Sequence, residues 1–326
     1  MAEYLVYRFP GESIQLFRGK WHSASWEAIA DIANAFVFSD ANGENLRVFE
    51  SFESISPDQI QFSFPQDTNQ PIISKEEYLF QLTNLMDAMC QQGVGKVVYS
   101  RINRKNWESG EGMTLFHNLA VAYPQTLVYL IVSELDGCWM GATPEILIAG
   151  NDELYHSMAL AGTLGIEEPS ASWGEKEYEE QAYVTSFIQD AIHQHGKLIQ
   201  ESTVYERQAG PVKHLCTDFK FTLPNAHIIP FIQTIHPTPA VCGIPVAEAA
   251  KLYATHELHE RRIYTGLIGR VDAKKLNLFV NLRCMQCTDK YVDLFVGGGI
   301  TKDSVPISEW NETERKSSTL SHYLTK

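Results

Sequence analysis

The sequence of 326 residues predicts one large domain of mixed α/β (α+β) class built on extensive sheets. Three observations carry that expectation. Strand-like runs and helix-period segments alternate in blocks along the chain. Hydrophobic residues make up 44% and charged residues 20%, an ordinary globular balance at a length that allows a sizeable core. No repeat, low-complexity tract or long Pro/Ser linker divides the chain.

The elements follow in order. Residues 40–72, including "NLRVFESFESISPDQ", are the least regular stretch. They are expected to connect a short N-terminal part, 1–72, to a main body, 73–326. "SKEEYLFQLTNLMDAMCQQG" has helical spacing, with Ser74 as N-cap and Glu77 completing a capping box. "KVVYSRINRKN", "TLVYLIVSEL", "GCWMGATPEILIAG" and "ELYHSMALAGT" read as strands. "GEKEYEEQAYVTSFIQDAIHQHG" reads as a long helix ending at glycine, with Val184, Phe187, Ile188 and Ala191 as its apolar stripe. "PVAEAAKLYATHELHE" is a further helix with Pro245 at its start. Then come strand-like "YTGLIGRVD", "LNLFVNLRCMQC" and "YVDLFVGGGIT", and a last helix through "ISEWNETERKS".

Charge narrows the function. The formal net charge of −14 argues against nucleic acid and against an anionic membrane surface. The N-terminus lacks the basic start and apolar run of a signal peptide, and no apolar stretch reaches the ~18 residues of a membrane helix. Six scattered cysteines show no disulfide framework, so a reducing cytoplasm is expected.

Two helices each carry Glu-x-x-Glu: Glu177 with Glu180, and Glu309 with Glu312, the latter followed by Lys316. Spacings of three and four place each set on one helix face. Alone, either pair reads as favourable charge at a helix N-terminus or as a solvated ion pair. Together, they supply oxygens suited to one hard cation such as Mg²⁺. Other polar residues sit at strand ends beside small ones: Lys96, Glu145, Gly162, Thr163 and Arg283. Gly297, Gly298 and Gly299 precede the last helix, as an anion-approaching backbone or merely a turn. Lys96 also reads as an edge-strand lysine, and Arg283 as half of a structural ion pair.

"KVVYSR", "GATPEIL", "ALAGT", "EKEYEEQAYV", "IHPTPAVCGIP", "ERRIYTGLIG", "NLRC" and "GGGITKDSVPISEWNETERKSSTL" occur in one order. This series resembles that of the chorismate-utilising enzymes, from about Lys96 to Thr319. The family includes isochorismate, salicylate, anthranilate and aminodeoxychorismate synthases. The resemblance implies a single domain of two antiparallel-rich sheets packed as a sandwich with helices outside, as in anthranilate synthase component I. Water-using members are similar to this chain in having lysine at Lys96, where aminating members have glutamine. Ala161 stands where aminodeoxychorismate synthases place a nucleophilic lysine. The resemblance therefore implies an isochorismate synthase, an isomerase: water attacks C2 of chorismate and the C4 hydroxyl leaves. A salicylate synthase, which adds pyruvate elimination, is the alternative. A catalytically degenerate chorismate-binding subunit is the reading from another class. No glutamine amidotransferase partner is expected, and the abbreviated N-terminal part points to menaquinone synthesis.

By motif match, Lys96 is the base and Glu145 the acid. Lys96 must then be neutral to take a proton and Glu145 protonated to give one, states that burial favours. Glu180 and Glu312 hold Mg²⁺, with Glu177 and Glu309 as further acidic positions. Arg283, Tyr264 and Gly297 meet the enolpyruvyl carboxylate. Gly162, Thr163 and His214 line the ring region, and Lys316 assists anion binding. Gln181, Arg262 and Tyr99 depart from the family pattern. They replace histidine, glycine and a smaller aliphatic residue respectively, so Gln181 bears on metal affinity and Arg262 on backbone shape.

"CMQC" lies on a predicted strand, where residues three apart face opposite sides, and zinc is not expected. "HELHE" lacks the HExxH spacing and reads as a solvated helix face; His193 and His195 read as surface residues.

Overall fold

Runs of consecutive apolar residues form the innermost strands. Glu3–Arg8 and Leu127–Ser133 are buried at every position and lie side by side, Val6 opposite Leu130. A continuous apolar strand has no polar face to turn to water, so both its sides must be covered. The computed structural model describes residues 2–30, 34–60, 64–107, 111–151, 153–166, 172–209, 212–272 and 275–324.

Every strand pairing among the described residues is antiparallel, and the pairings join into one network. It starts with Lys197–Glu201 and Tyr205–Ala209, both against Val212–Thr222. It continues through Leu154–Gly165, Ile146–Asn151, Lys275–Val280, Leu267–Asp272 and Asn34–Phe38. From there it passes through Leu46–Ser54, Gln15–Ala24, Glu3–Arg8, Leu127–Ser133 and Gly137–Thr143. It ends through Cys284–Cys287, Tyr291–Ile300, Lys96–Asn106 and the short Gly243–Ile244.

The network folds back on itself. Phe36, Phe38, Ile268 and Phe279 from its first part share an aromatic-rich core with Ile102, Tyr129, Trp139 and Phe295 from its last part. The two faces of the expected sandwich are thus two parts of one hydrogen-bonded sheet. Helices cover the outer faces. Val184, Ile188 and Ala191 of the helix Glu175–His195 pack on Phe219 and Phe221, as that stripe predicts. Helix Gly112–Ala122 covers Leu130 and Met140. Helix Lys75–Gln92 packs with Val246–His256 against Val97 and Tyr99. It starts at the expected capping box, Ser74 accepting from the Glu77 amide. Its Leu82 and Leu85 are wholly buried; Leu82→Ala would cost about 2–5 kcal/mol. No helix among the described residues is long and apolar enough to cross a membrane.

Several local expectations are corrected. The supposed irregular connection contains the nine-residue strand Leu46–Ser54. Gly297–Gly299, by contrast, lie inside the expected strand, Tyr291–Ile300, opposite Ser100, Tyr99 and Val98, so the alternative of a turn falls away. The helix before "HELHE" ends at His256, and Glu257 turns inward to pair with Arg261 instead of facing solvent. His195 is half-buried, its Nε2 2.9 Å from Thr234 Oγ1, while His193 is exposed. The strand expected at "CMQC" is present, Cys284–Cys287, with both cysteines buried and Cys287 paired across from Cys138.

Candidate active site

Lys96 opens its strand between two glycines that leave room for it. A Cβ on Gly299 would stand 2.7 Å from Lys96 Cε, and one on Gly243 would stand 2.2 Å from the Lys96 carbonyl oxygen. The lysine is 2% exposed and is one of the largest fully buried side chains. Its Nζ lies 3.7 Å from Glu180 Oε2.

Glu145 follows Pro144 in the break between the strands Gly137–Thr143 and Ile146–Asn151. The Val280 amide donates to its carbonyl, which fixes the bend. Its carboxyl has no hydrogen-bond partner among the described residues. Burial pushes its pKa up to about 8, against the opposing pull of Lys96 and Arg283. At neutral pH it is a protonated acid.

Arg283 and His214 form the next wall. Arg283 takes a left-handed backbone, φ 48°, between the strands Lys275–Val280 and Cys284–Cys287. His214 Nδ1–H donates to the Gly162 carbonyl at 2.6 Å, so Nε2 is the acceptor, 3.3 Å from Arg283 Nη2. Burial, aided by Arg283, lowers the His214 pKa to about 3, so the ring stays neutral. Thr163 Oγ1 stands 3.4 Å from His214 Nδ1. Arg283 Nε is buried without a hydrogen-bond partner. An unpaired guanidinium donor facing a cavity is a place for an anion.

The last helix, Pro306–Ser321, brings Lys316, whose Nζ donates to the Gly297 carbonyl at 2.8 Å and pairs with Glu312 Oε1 at 2.6 Å. The hydroxyl of Tyr264 lies 3.0 Å from where a Gly297 Cβ would be.

One cavity gathers these groups. Lys96, Glu145, Gly162, Thr163, Glu180, His214, Tyr264, Arg283, Gly297, Glu312 and Lys316 all line it, with Leu160 and Val241 as apolar wall. Two candidates stand outside the lining. Glu177 accepts from the Gly174 amide at 2.9 Å, capping its own helix. Glu309 is 2% exposed, with Oε1 on Lys176 Nζ at 2.7 Å and Oε2 buried and unpartnered. Burial and the neighbouring Glu312 raise its pKa, although Lys176 opposes them.

Among the departures, Gln181 turns away from the cavity. Its amide donates to the Ala159 carbonyl and to Thr217 Oγ1, both at 3.1 Å, tying helix to sheet. Arg262 takes φ 49°, the left-handed region that a glycine would occupy freely. Tyr99 fills core space against Tyr78, ring centroids 5.3 Å apart. Lys176 is the site neighbour not singled out from the sequence. Its signal was the four-residue spacing to Glu180.

Comparison with known proteins gives the family. A family model described as chorismate binding enzyme matches residues 32–325. The chain belongs to the chorismate binding enzyme family. It is 26% identical over 268 residues to the vibriobactin-specific isochorismate synthase of Vibrio cholerae, covering 76% of this chain and 66% of that protein. It is 24% identical over 313 residues to the isochorismate synthase EntC of Escherichia coli K12, covering 89% of this chain and 80% of that one. Among solved structures, the menaquinone-specific isochorismate synthase MenF of Escherichia coli matches with a TM-score of 0.82. That match covers 100% of this chain and 89% of that one at 17% identity, a likeness of fold. In this chorismate binding enzyme, all the candidate residues but Glu177 and Glu309 line one polar cavity, although they come from strands and helices far apart in sequence.

Proposed function

We propose that this protein is a Mg²⁺-dependent isochorismate synthase. The observation that carries the reading is the pairing of Lys96 with Glu145 in one cavity, a buried amine and a buried carboxyl held protonated at neutral pH. Conversion of chorismate to isochorismate needs a base at C2 and an acid at C4. Lys96 removes a proton from water while the water oxygen bonds to C2. Both ring double bonds shift, and the C4–O bond breaks as Glu145 donates its proton to the departing hydroxyl. Water enters and water leaves, so substrate and product are isomers. Such a pair typically supplies 10²–10⁴-fold in rate.

Chorismate carries two carboxylates. Arg283, with its unpaired Nε, and Tyr264 beside Gly297 suit the enolpyruvyl carboxylate. Neutral His214 keeps Arg283 in place by accepting from it.

The donor set also fits a hard divalent cation. Glu309 Oε2 is a buried oxygen without a partner, and the absent Cβ of Gly298 leaves space between it and Glu312 Oε1. A Cβ there would stand 3.2 Å and 3.5 Å from those two oxygens. Glu180, Glu312 and Glu309 would hold Mg²⁺. When bound, it would neutralise the ring carboxylate and draw electron density from the ring.

Relatives named for vibriobactin and for menaquinone share the isochorismate synthase name, and isochorismate is the proposed product. Menaquinone is its proposed destination. The test is product analysis of purified protein with chorismate and Mg²⁺, with and without EDTA. Isochorismate without pyruvate, lost on chelation, is expected. Salicylate with equimolar pyruvate would move the protein to the salicylate synthases, and no conversion would refute both.

A further inference from the structure

Three lysines face three carboxylates around the proposed cation site, and they are not equivalent. Lys96 is 3.7 Å from Glu180, and Lys316 is 2.6 Å from Glu312; both line the cavity. Lys176 is outside the lining. It stands in the first turn of the helix Glu175–His195, one turn before Glu180. Its Nζ reaches across to the last helix, 2.7 Å from Glu309 Oε1, and lies 4.0 Å from Glu180 Oε1. One ammonium therefore bridges a carboxylate from each of the two Glu-x-x-Glu helices. Among the described residues no three ligating side chains already stand together as a cation site, and each of these carboxylates is turned to a lysine.

Buried carboxylates need a counter-charge whether or not a metal is present. A divalent cation and the Lys176 ammonium would seek the same oxygens, and like charges do not share them. Lys176 is also the lysine of the three with the most open route away. Its side chain is 32% exposed, against 2% for Lys96 and 14% for Lys316. A flexible four-carbon stem lets its ammonium return to water at small cost.

We propose that Lys176 is a built-in counter-ion for the cation site. It holds Glu180 and Glu309 in place while no cation is bound and yields them to the incoming divalent ion. The inference rests on the proposed metal site and adds a consequence to it. Lys176 sets the affinity of the free protein for the cation, because every binding event must first break its bridge.

The experiment is a Mn²⁺ titration of metal-free protein without chorismate, read by the paramagnetic signal of free Mn²⁺. It compares wild type, Lys176→Met, Lys176→Arg and Glu312→Gln. Lys176→Met is expected to bind Mn²⁺ about ten-fold tighter or more, since a partly buried ion pair no longer competes. Lys176→Arg keeps the positive charge and is expected to stay within about three-fold of wild type. If Lys176→Met leaves Glu309 too poorly compensated to fold, Lys176→Gln takes its place, neutral but still able to donate, and the same tightening is expected. The melting temperature is the second readout, with Mg²⁺ stabilising the neutral variants more than wild type.

Equal or weaker Mn²⁺ binding by the neutral variants overturns the counter-ion role. The metal site itself still stands if wild type binds saturably and Glu312→Gln does not. No saturable binding by wild type or by any Lys176 variant refutes the site and the inference together.

Discussion

Glu145 and Glu257 are both buried acids, 2% and 9% exposed, and they have opposite surroundings. Glu257 is held by a fork. Its Oε2 accepts from Arg261 Nε at 2.8 Å, and its Oε1 accepts from Arg261 Nη2 at 2.6 Å. The same Oε1 accepts from the Ser100 amide and hydroxyl, both at 2.7 Å. Arg261 in turn donates to the carbonyls of Val98 and Val241 and stacks over Tyr253. Glu145 has no such fork. Its environment offers only Lys96 and Arg283 at a distance, and desolvation wins. Burial with a bidentate partner makes a fixed charge that pins the strand of Lys96. Burial without one makes a proton donor.

The sharpest way to separate the two is to remove each carboxylate's charge. Glu145→Gln, and likewise Lys96→Met, should lower kcat by about 10²–10⁴-fold with the fold intact, measured as isochorismate formed per minute. Glu257→Gln should leave turnover per folded molecule within about three-fold, because its carboxylate faces Ser100 and Arg261 and not the cavity. A comparable loss of kcat in both would break the distinction.

Stability should rank them the other way. Glu257→Gln strands the Arg261 guanidinium in the interior, and removing one member of a buried pair costs about 3–5 kcal/mol. Glu145→Gln removes an acid that nothing pairs. Urea unfolding at neutral pH distinguishes the two, and equal destabilisation would show that Glu145 is pinned after all.

The pH dependence extends the same contrast. The Glu145 carboxyl titrates near 4.5 in an unfolded chain and at about 8 in the folded one. Below about 4.5 it is protonated in both states, and its stabilising contribution is fully present. Between about 4.5 and 8 the unfolded chain releases the proton while the folded chain keeps it, so stability falls as pH rises through this window. Glu145→Gln should flatten that fall, seen by unfolding at a series of pH values. The wild-type kcat/KM should decline above about pH 8, as the acid loses its proton. A rate that keeps rising past pH 9 would remove Glu145 from that role.

What the sequence displayed was whatever is local or ordered along the chain. The Ser74 capping box and the Val184–Ile188–Ala191 stripe are set by neighbours within a few residues, and both are present in the fold. The motif order marked residues that converge on one cavity from many elements. The strand Leu46–Ser54 was hidden because Arg47, Glu50 and Glu53 break its apolar pattern. Its identity comes from pairing with Gln15–Ala24 and Asn34–Phe38. Gly297–Gly299 sat in a run that already read as a strand, with a turn as the alternative. They are a strand because they pair with Ser100, Tyr99 and Val98, and they are glycines because Ser100, Lys96, Glu180, Glu309 and Glu312 need the volume that side chains there would fill. Lys176 showed its spacing to Glu180, but its hydrogen-bonded partner Glu309 is 133 residues away.

The smallest expected effect separates strain that a site uses from strain that it does not. Arg262 and Arg283 both hold left-handed backbone, φ 49° and 48°. Arg283 lines the cavity with an unpaired donor, so its strain sits where function can use it. Arg262 makes a long contact to the Thr68 carbonyl, 3.4 Å, and a loose pair with exposed Glu260 at 3.8 Å. Little is lost there if the side chain goes. Arg262→Gly should relieve a left-handed penalty of roughly 1 kcal/mol, part of which the greater freedom of glycine in the unfolded chain takes back. The net should be a change in unfolding free energy, read by urea, of less than about 1 kcal/mol with kcat unaltered. Arg283→Gly frees the same backbone angle but should raise the KM for chorismate at least ten-fold if, as proposed, the guanidinium meets a substrate carboxylate. Equal kinetics for the two glycine variants would place the anion site elsewhere in the cavity.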